Sequence, residues 1–596
     1  MVDVAWDNLL QEISHEPTWY RAAPALLLDS EASALTMKRP ELVSYLDYRE
    51  INGGKPSTLA EFQQELTKFP RNAIARLCAA MNTVIATWVG DFNLEVQQRF
   101  IRSFFPPEFA EKIIATNRPV FHRHQLLFSI QQAFLHCTKI DEPLPAPYFG
   151  EFGRVLLMAS DHLHIPMPEG PAETSEKAAQ VIVSLLPTLE ANNFTNYLNR
   201  IVRSFVMLSR FVEPLRGQKV FFDVPALFEQ AMKIPLGTYQ SLIWGSMSRF
   251  SKVERLRNTQ DVSDLSVGTE WYGKHLPQIQ TDSFLADLSA TPDEFAQVLM
   301  QKAPLAIDFT VLRDKPFIHD TGRFFPVDFT FLSDKLESGV FWRVHNNFQE
   351  RREKELFHVF WGMVFEQYLN WIFEQTCSGK ANQFYRDPRF AINADEQVCD
   401  GLIVSGRAAI LMEYKGSTFT AASKYGGDAN VLKAELESKL VGELNRRKGV
   451  RQLAHAVERL CRRENADSIQ GVDMADIEVI LPVIITRDDI GSAWGMNAYL
   501  NARFQELKAI EKQWRPVTSL FSLSANDVEI ISSYLPDTAF VDLLTARYKA
   551  EKPLMASFWT TENSVINRKG VRKPEFVYDA MKELTKLTVN TLGLKP

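Results

Sequence analysis

The stretch VCDGLIVSGRAAILMEYKGS, Val398 to Ser417, decides how this 596-residue chain is read. Two apolar runs, Gly401 to Val404 and Ala408 to Met412, flank Ser405-Gly406-Arg407. A glycine as the first of two loop residues suits a type II′ hairpin turn. With Gly406 and Arg407 as the loop, Ser405 pairs with Ala408 and Asp400 falls directly opposite Glu413. Residues so paired share one face, with Cβ atoms about 4.5–5.5 Å apart. Lys415, two positions beyond Glu413, projects to that face as well. Two acids on one face of an apolar strand repel each other and lose hydration, a cost that a hard cation such as Mg²⁺ removes.

Phosphodiester hydrolysis is the chemistry that wants this set, because a metal polarises a phosphoryl oxygen and activates a water while a cation stabilises the charge building on phosphorus. Asp400 and Glu413 are the expected metal ligands, with the backbone carbonyl of Tyr414 as a further one. Lys415 is expected to orient the attacking water or stabilise the transition state. Mg²⁺ is the expected ion, with Mn²⁺ as its substitute. The simpler reading is a solvated strand face with a cross-strand ion pair. Glu-x-Lys triplets recur at Glu437-Ser438-Lys439 and Glu506-Leu507-Lys508, but in helix-patterned sequence without a hairpin partner.

Outward from the hairpin, FHVFWGMVFEQYLNWIF places Glu366 in a helix that is apolar nearly all round, so this acid needs a partner, either an Arg or a hydroxyl in the core or the metal site or its water shell. Downstream, GVRQLAHAVERLCRRE reads as a helix with Val450, Leu453, Ala454, Val457, Leu460 and Cys461 on its apolar stripe. Arg451, His455, Arg459 and Arg462 line another face, behind Arg446, Arg447 and Lys448. This stripe suits either phosphate-backbone contact or plain solvation. DIEVILPVIITRD then reads as a buried strand in which Pro482 requires a bulge or an edge.

These residues together resemble the PD-(D/E)XK nuclease superfamily, whose restriction-endonuclease-like core runs helix, three strands, helix, strand. The matching elements are the helix around Glu366, a strand near Asn382 to Arg386, the hairpin, the helix from Val450 and the strand ending at Thr486. The resemblance puts the family's metal-binding acids on Asp400 and Glu413, its lysine on Lys415 and its first-helix acid on Glu366. Gln452 matches the polar residue that some branches place on the helix after the lysine strand. Cys399 replaces the proline of the family's name, and an insertion from Ser417 to Leu444, a lid or substrate loop, precedes the second helix. Proteins that join such a nuclease to a large unrelated domain look like bacterial defence or repair effectors. That implies cleavage of nucleic acid, DNA favoured over RNA. The rival expectation is an interaction protein that keeps the scaffold without cleavage.

The rest of the chain bounds this reading. Residues 1–300 show helical periodicity, as in Ala179 to Val212, and are expected to be an all-α region that recognises substrate, a protein partner or a second copy. Residues 301–349 carry a hairpin turning at Asp320-Thr321-Gly322 and read as a connector, 350–490 as the α/β core and 491–596 as a helical extension with a basic end from Arg568. A net charge of -7 excludes a protein that coats nucleic acid over its whole surface. Five scattered cysteines make neither a disulfide framework nor a CxxC zinc site, and no run of apolar residues is long enough for a membrane span, so a cytoplasmic, membrane-free protein is expected. GTEWYGKH, Gly268 to His275, imitates a phosphate-binding loop but puts His275 where Ser or Thr must hold magnesium. His122, His124, His136 and Cys137, like His162 and His164, are expected to be ordinary structural residues rather than metal ligands.

Overall fold

The computed structural model describes residues 45–87, 94–139, 149–163, 174–191, 197–250, 265–274, 276–442, 448–462, 467–508, 515–549 and 574–593. Arg446, Arg447, His164, His275 and the start of the basic end at Arg568 lie outside them. Helices α1 (Arg71–Thr87), α2 (Arg123–His136), α3 (Ser175–Ala191) and α4 (Tyr197–Arg210) dominate the first 250 residues. Four short strands follow, β1 (Val267–Gly268), β2 (Ser289–Ala290), β3 (Phe317–Asp320) and β4 (Arg323–Pro326), forming one sheet in the order β1-β4-β3-β2. The expected hairpin is present, turning on Thr321 and Gly322, both at positive φ. It is not a connector. It is the centre of that small sheet and packs into the helical region, where Asn82 on α1 donates to the Val327 carbonyl and to Asp328 at 2.8 Å each. Residues 1–300 are mainly helical where described, and add to this sheet the two-residue strands β1 and β2.

Next come α5 (Arg351–Thr376), β5 (Gln383–Arg386), β6 (Gly401–Ser405), β7 (Ala408–Lys415), α6 (Ala429–Leu436), α7 (Val450–Cys461), β8 (Val479–Thr486), α8 (Met496–Leu507), β9 (Phe521–Ser524), α9 (Ala525–Ser532) and α10 (Glu575–Thr591). The strands make one five-stranded sheet in the order β5-β6-β7-β8-β9. The first three run antiparallel in sequence, and β8 and β9 add parallel to β7. β9 corrects the expectation of a wholly helical extension after 490. Its four residues FSLS are too short for alternation to declare a strand.

The β6–β7 register is the expected one: Ser405 faces Ala408 and Gly401 faces Met412. Positive φ at Gly406, and not at Arg407, is the type II′ signature. Pro482 lies inside the sheet, where three steps on β8 from Ile480 to Val483 face four on the neighbour from Val517 to Phe521. The bulge that a proline requires is thus in the partner strand.

Each sheet face buries a helix layer. Ile403, Ile410, Met412 and Tyr414 face α5, whose Phe357, Phe360, Trp361, Val364, Phe365, Tyr368 and Leu369 recur at helical spacing. On the other face Leu402, Ala409, Leu411 and Ile484 meet Val450, Leu453 and Val457 of α7 and Tyr499 and Leu500 of α8. Ala178, Ile182 and Leu186 of α3 belong to that second core, and α4 and α10 share the first with α5. The N-terminal helices therefore wrap both faces of the sheet. Among the described residues no helix is long and apolar enough to cross a membrane.

α5 passes close to the end of the strand that carries Glu413. A Cβ on Gly416 would lie 2.9 Å from the Cα of Gly362, so Gly416→Ala must push helix and strand apart, at a cost of about 1–3 kcal/mol in urea denaturation. Gly217, with nothing within 4 Å of an added Cβ, is the control: Gly217→Ala should stay within about 0.5 kcal/mol of the parent.

Candidate active site

The site lies where β6 and β7 outrun each other. Paired strand residues stop at Gly401 and Met412, one step short of the expected Asp400–Glu413 pair. Asp400 instead turns its carboxylate onto the backbone: Oδ2 accepts the Tyr414 N–H at 2.7 Å, and Oδ1 accepts Gln397 Nε2 at 3.3 Å. Because N–H and C=O of one strand residue point to the same side, the Tyr414 carbonyl faces the Asp400 edge too. Gly401 makes the turn fit, since a Cβ there would stand 2.2 Å from the Tyr414 hydroxyl.

Glu413 is 2 % exposed. Its Oε1 accepts Lys415 Nζ at 2.6 Å and the Gly449 N–H at 3.2 Å. Its Oε2 is buried without a partner. Gly449 holds φ +64°, and a Cβ there would fall 1.9 Å from the Leu440 carbonyl oxygen, so only glycine can bring this amide to Glu413. α7 starts at the next residue with no side-chain cap.

Glu366 reaches the site one helical turn beyond Gly362. Burial pushes its carboxyl up, with Arg386 opposing and Asp387 and Glu413 reinforcing the shift. Burial and the neighbouring Glu413 push Asp400 well up, against the opposing pull of Lys415. Burial alone would lower the Lys415 ammonium, but Glu413 and Asp400 outweigh it and hold the group above its usual range. Asp400, Glu413, Glu366 and Lys415 thus feel one another's charge. The fold brings together the four groups that the sequence singled out. Among the described residues, however, no three His, Cys, Asp or Glu side chains form a metal cage.

The basic helix divides in two. Arg451 and Gln452 sit in the first turn of α7, and Arg451 Nε is buried without a partner. Arg459 bonds Glu396 at 2.6 Å, pairs with Asp467 and lies over the Phe390 ring at 3.7 Å. His455 stands 3.4 Å from Glu396. Arg459 and His455 therefore meet Glu396 of the β5–β6 loop. The insertion is docked too: Glu437 accepts from the Tyr499 hydroxyl at 2.6 Å and pairs with Arg503 at 2.7 Å, while Lys424 pairs with Asp488 at 2.7 Å. It is a strap over α8 rather than a free lid.

Sequence reasoning missed Gly449, Gly401, Gly416 and Gln397. The glycines carried a signal, since each interrupts a charged or apolar run beside a candidate residue. Gln397 carried none. The discarded motifs have structural uses. His122 caps α2 in a box with Gln125 and touches Ser160, His162 contacts Ser57, and the Glu270 carboxylate folds over Gly268 where a phosphate would have to sit. All five cysteines are buried and unbridged.

A carboxyl raised in the folded state keeps its proton there more tightly than in the unfolded chain. Its ionisation therefore opposes folding as pH rises past the unfolded value of about 4. Metal-free Asp400→Asn should melt about 2 °C or more above the parent at pH 7.5, and the gap should close as pH falls to 4; scanning calorimetry in a chelator measures both. No protein-family model, curated protein or solved structure matches this chain.

Proposed function

We propose that the chain is a metal-dependent nuclease that hydrolyses phosphodiester bonds of nucleic acid, DNA favoured, with a restriction-endonuclease-like core of the PD-(D/E)XK kind. One observation carries the reading: the partnerless Oε2 of a buried Glu413, beside a second acid and a lysine that each feel its charge. An orphaned carboxylate oxygen in a hard-oxygen setting fits a divalent cation. The element order supports the same reading, with α5, an antiparallel β5-β6-β7 set, α7 and a parallel β8.

Asp400 and Glu413 would hold the cation, with the Tyr414 carbonyl as a third oxygen. Bound there, a divalent ion supplies Lewis-acid polarisation and a more acidic water. Lys415, kept protonated by the two acids, presents positive charge where it builds on phosphorus. Glu366 would orient the attacking water. Gln397 and the Gly449 amide fix the two carboxylates, and Arg451 and Gln452 at the start of α7 would meet the substrate backbone. The attachment to a large helical region, and the resemblance to defence effectors, make foreign DNA the favoured substrate.

The rival reading, a scaffold without cleavage, draws on the 2.6 Å Lys415–Glu413 pair, which would close a retired site as an internal salt bridge. The two readings separate on a panel of plasmid, linear, single-stranded and RNA substrates with Mg²⁺ or Mn²⁺. For the nuclease, Asp400→Ala and Glu413→Ala abolish both cleavage and Mn²⁺ binding by calorimetry. Lys415→Ala lowers kcat by about 10²–10³-fold while the ion still binds. No cleavage of any substrate by the parent, with no Mn²⁺ uptake, favours the scaffold.

A further inference from the structure

β7 leaves the site through Lys415 and Gly416, and glycine is the residue least able to hold a backbone path by itself. The close approach to Gly362 forces a glycine at that position, so the strand needs an external hold just where it carries the lysine. Arg487, the residue after β8, supplies it. Its N–H donates to the Lys415 carbonyl at 2.9 Å, its Nε to the Gly416 carbonyl at 3.3 Å and its Nη2 to the Thr418 hydroxyl. The side chain is 3 % exposed and lies 5.7 Å from the centre of the Trp361 ring, the residue before Gly362.

The remaining arm of the fork leads away from the site. Nη1 donates to Glu337 Oε1 at 3.3 Å, and Glu337 also accepts two bonds of 3.2 Å from Arg203 on α4. Arg203 in turn bonds Glu529 at 2.8 Å, an acid that also takes the Tyr368 hydroxyl of α5 at 2.7 Å. The guanidinium presents Nε, Nη1 and Nη2 to three separate acceptors in one fixed fork, which the single nitrogen of an ammonium does not reproduce.

We propose that Arg487 is the positioning residue for Lys415, and that through Glu337 and Arg203 it makes the helical N-terminal region and the site one mechanical unit. The proposal rests on the nuclease reading for its catalytic consequence and on the geometry alone for its effect on Lys415.

Two variants test it in the full-length chain. Arg487→Lys keeps a charge for Glu337 and loses the fork, and Thr418→Val removes one acceptor and leaves Arg487 in place. Arg487→Lys should lower kcat about 10–100-fold with KM within about threefold, and Thr418→Val should act in the same direction by about 3–10-fold. In both, acetylation of Lys415 by an activated ester in metal-free protein at pH 9, followed by mass spectrometry, should run severalfold faster than in the parent, because the Glu413 pair loosens. A merely structural arginine would lower the unfolding midpoint without changing Lys415 labelling or the split between kcat and KM, and that result overturns the proposal. If Arg487→Lys does not fold, Thr418→Val decides alone. If the parent cuts no nucleic acid, the labelling still decides: faster labelling supports the positioning role while the nuclease reading falls, and unchanged labelling overturns the role.

Discussion

Everything around the site answers to one constraint, the burial of the Glu413 carboxylate at the end of a sheet strand. An ionised carboxylate removed from water must be compensated, and the fold compensates one oxygen with a lysine and a glycine amide while leaving the other without a partner. Lys415 needs strand alternation to reach the same face, and the Gly449 amide needs a conformation that only glycine adopts. Asp400 needs β6 to stop one residue early. A purely structural carboxylate would be expected to have both oxygens satisfied or to reach solvent.

That constraint explains the arrangement of the larger elements. α5 must pass close enough for Glu366 to reach the site, which requires glycine at 416, where an added Cβ would stand 2.9 Å from the Gly362 Cα. α7 must begin at the Glu413 oxygen, which places Arg451 and Gln452 at the mouth. Arg487 then holds the strand end that bears Lys415. The N-terminal helices are not an appended module: α3 seals one sheet face and α4 the other, and the buried Arg200–Asp489 pair joins α4 to the turn after β8. Such pairs specify geometry more than they add stability, which suits a site whose groups must stay in register.

Much of this was legible in the amino-acid order because strands and helices repeat with different periods. The hairpin register followed from Ser405-Gly406-Arg407, and the facing of Glu413 and Lys415 from alternation. Helix α5 was plain from its aromatic spacing, and Pro482 announced a bulge. What was hidden depended on contacts distant in sequence. The Arg459 partners, Glu396 and Asp467, lie in loops that no periodicity describes, so a basic stripe read as solvent-facing is half braced. β9 is four residues long, and β1 and β2 are two residues each, so the edges of the small sheet and the fifth strand left no pattern. The early end of β6 depends on the Tyr414 ring meeting Gly401, a packing fact rather than a sequence signal.

We propose Asp400 and Glu413 as the ligands of a divalent cation. Crystals grown with Mn²⁺ and measured at a wavelength where manganese scatters anomalously test it most directly. One strong anomalous peak is expected, bonded to Asp400, to Glu413 Oε2 and to the Tyr414 carbonyl oxygen. No peak there at saturating Mn²⁺, or a peak only elsewhere on the molecule with Glu413 still bound to Lys415 and Gly449 alone, would contradict it.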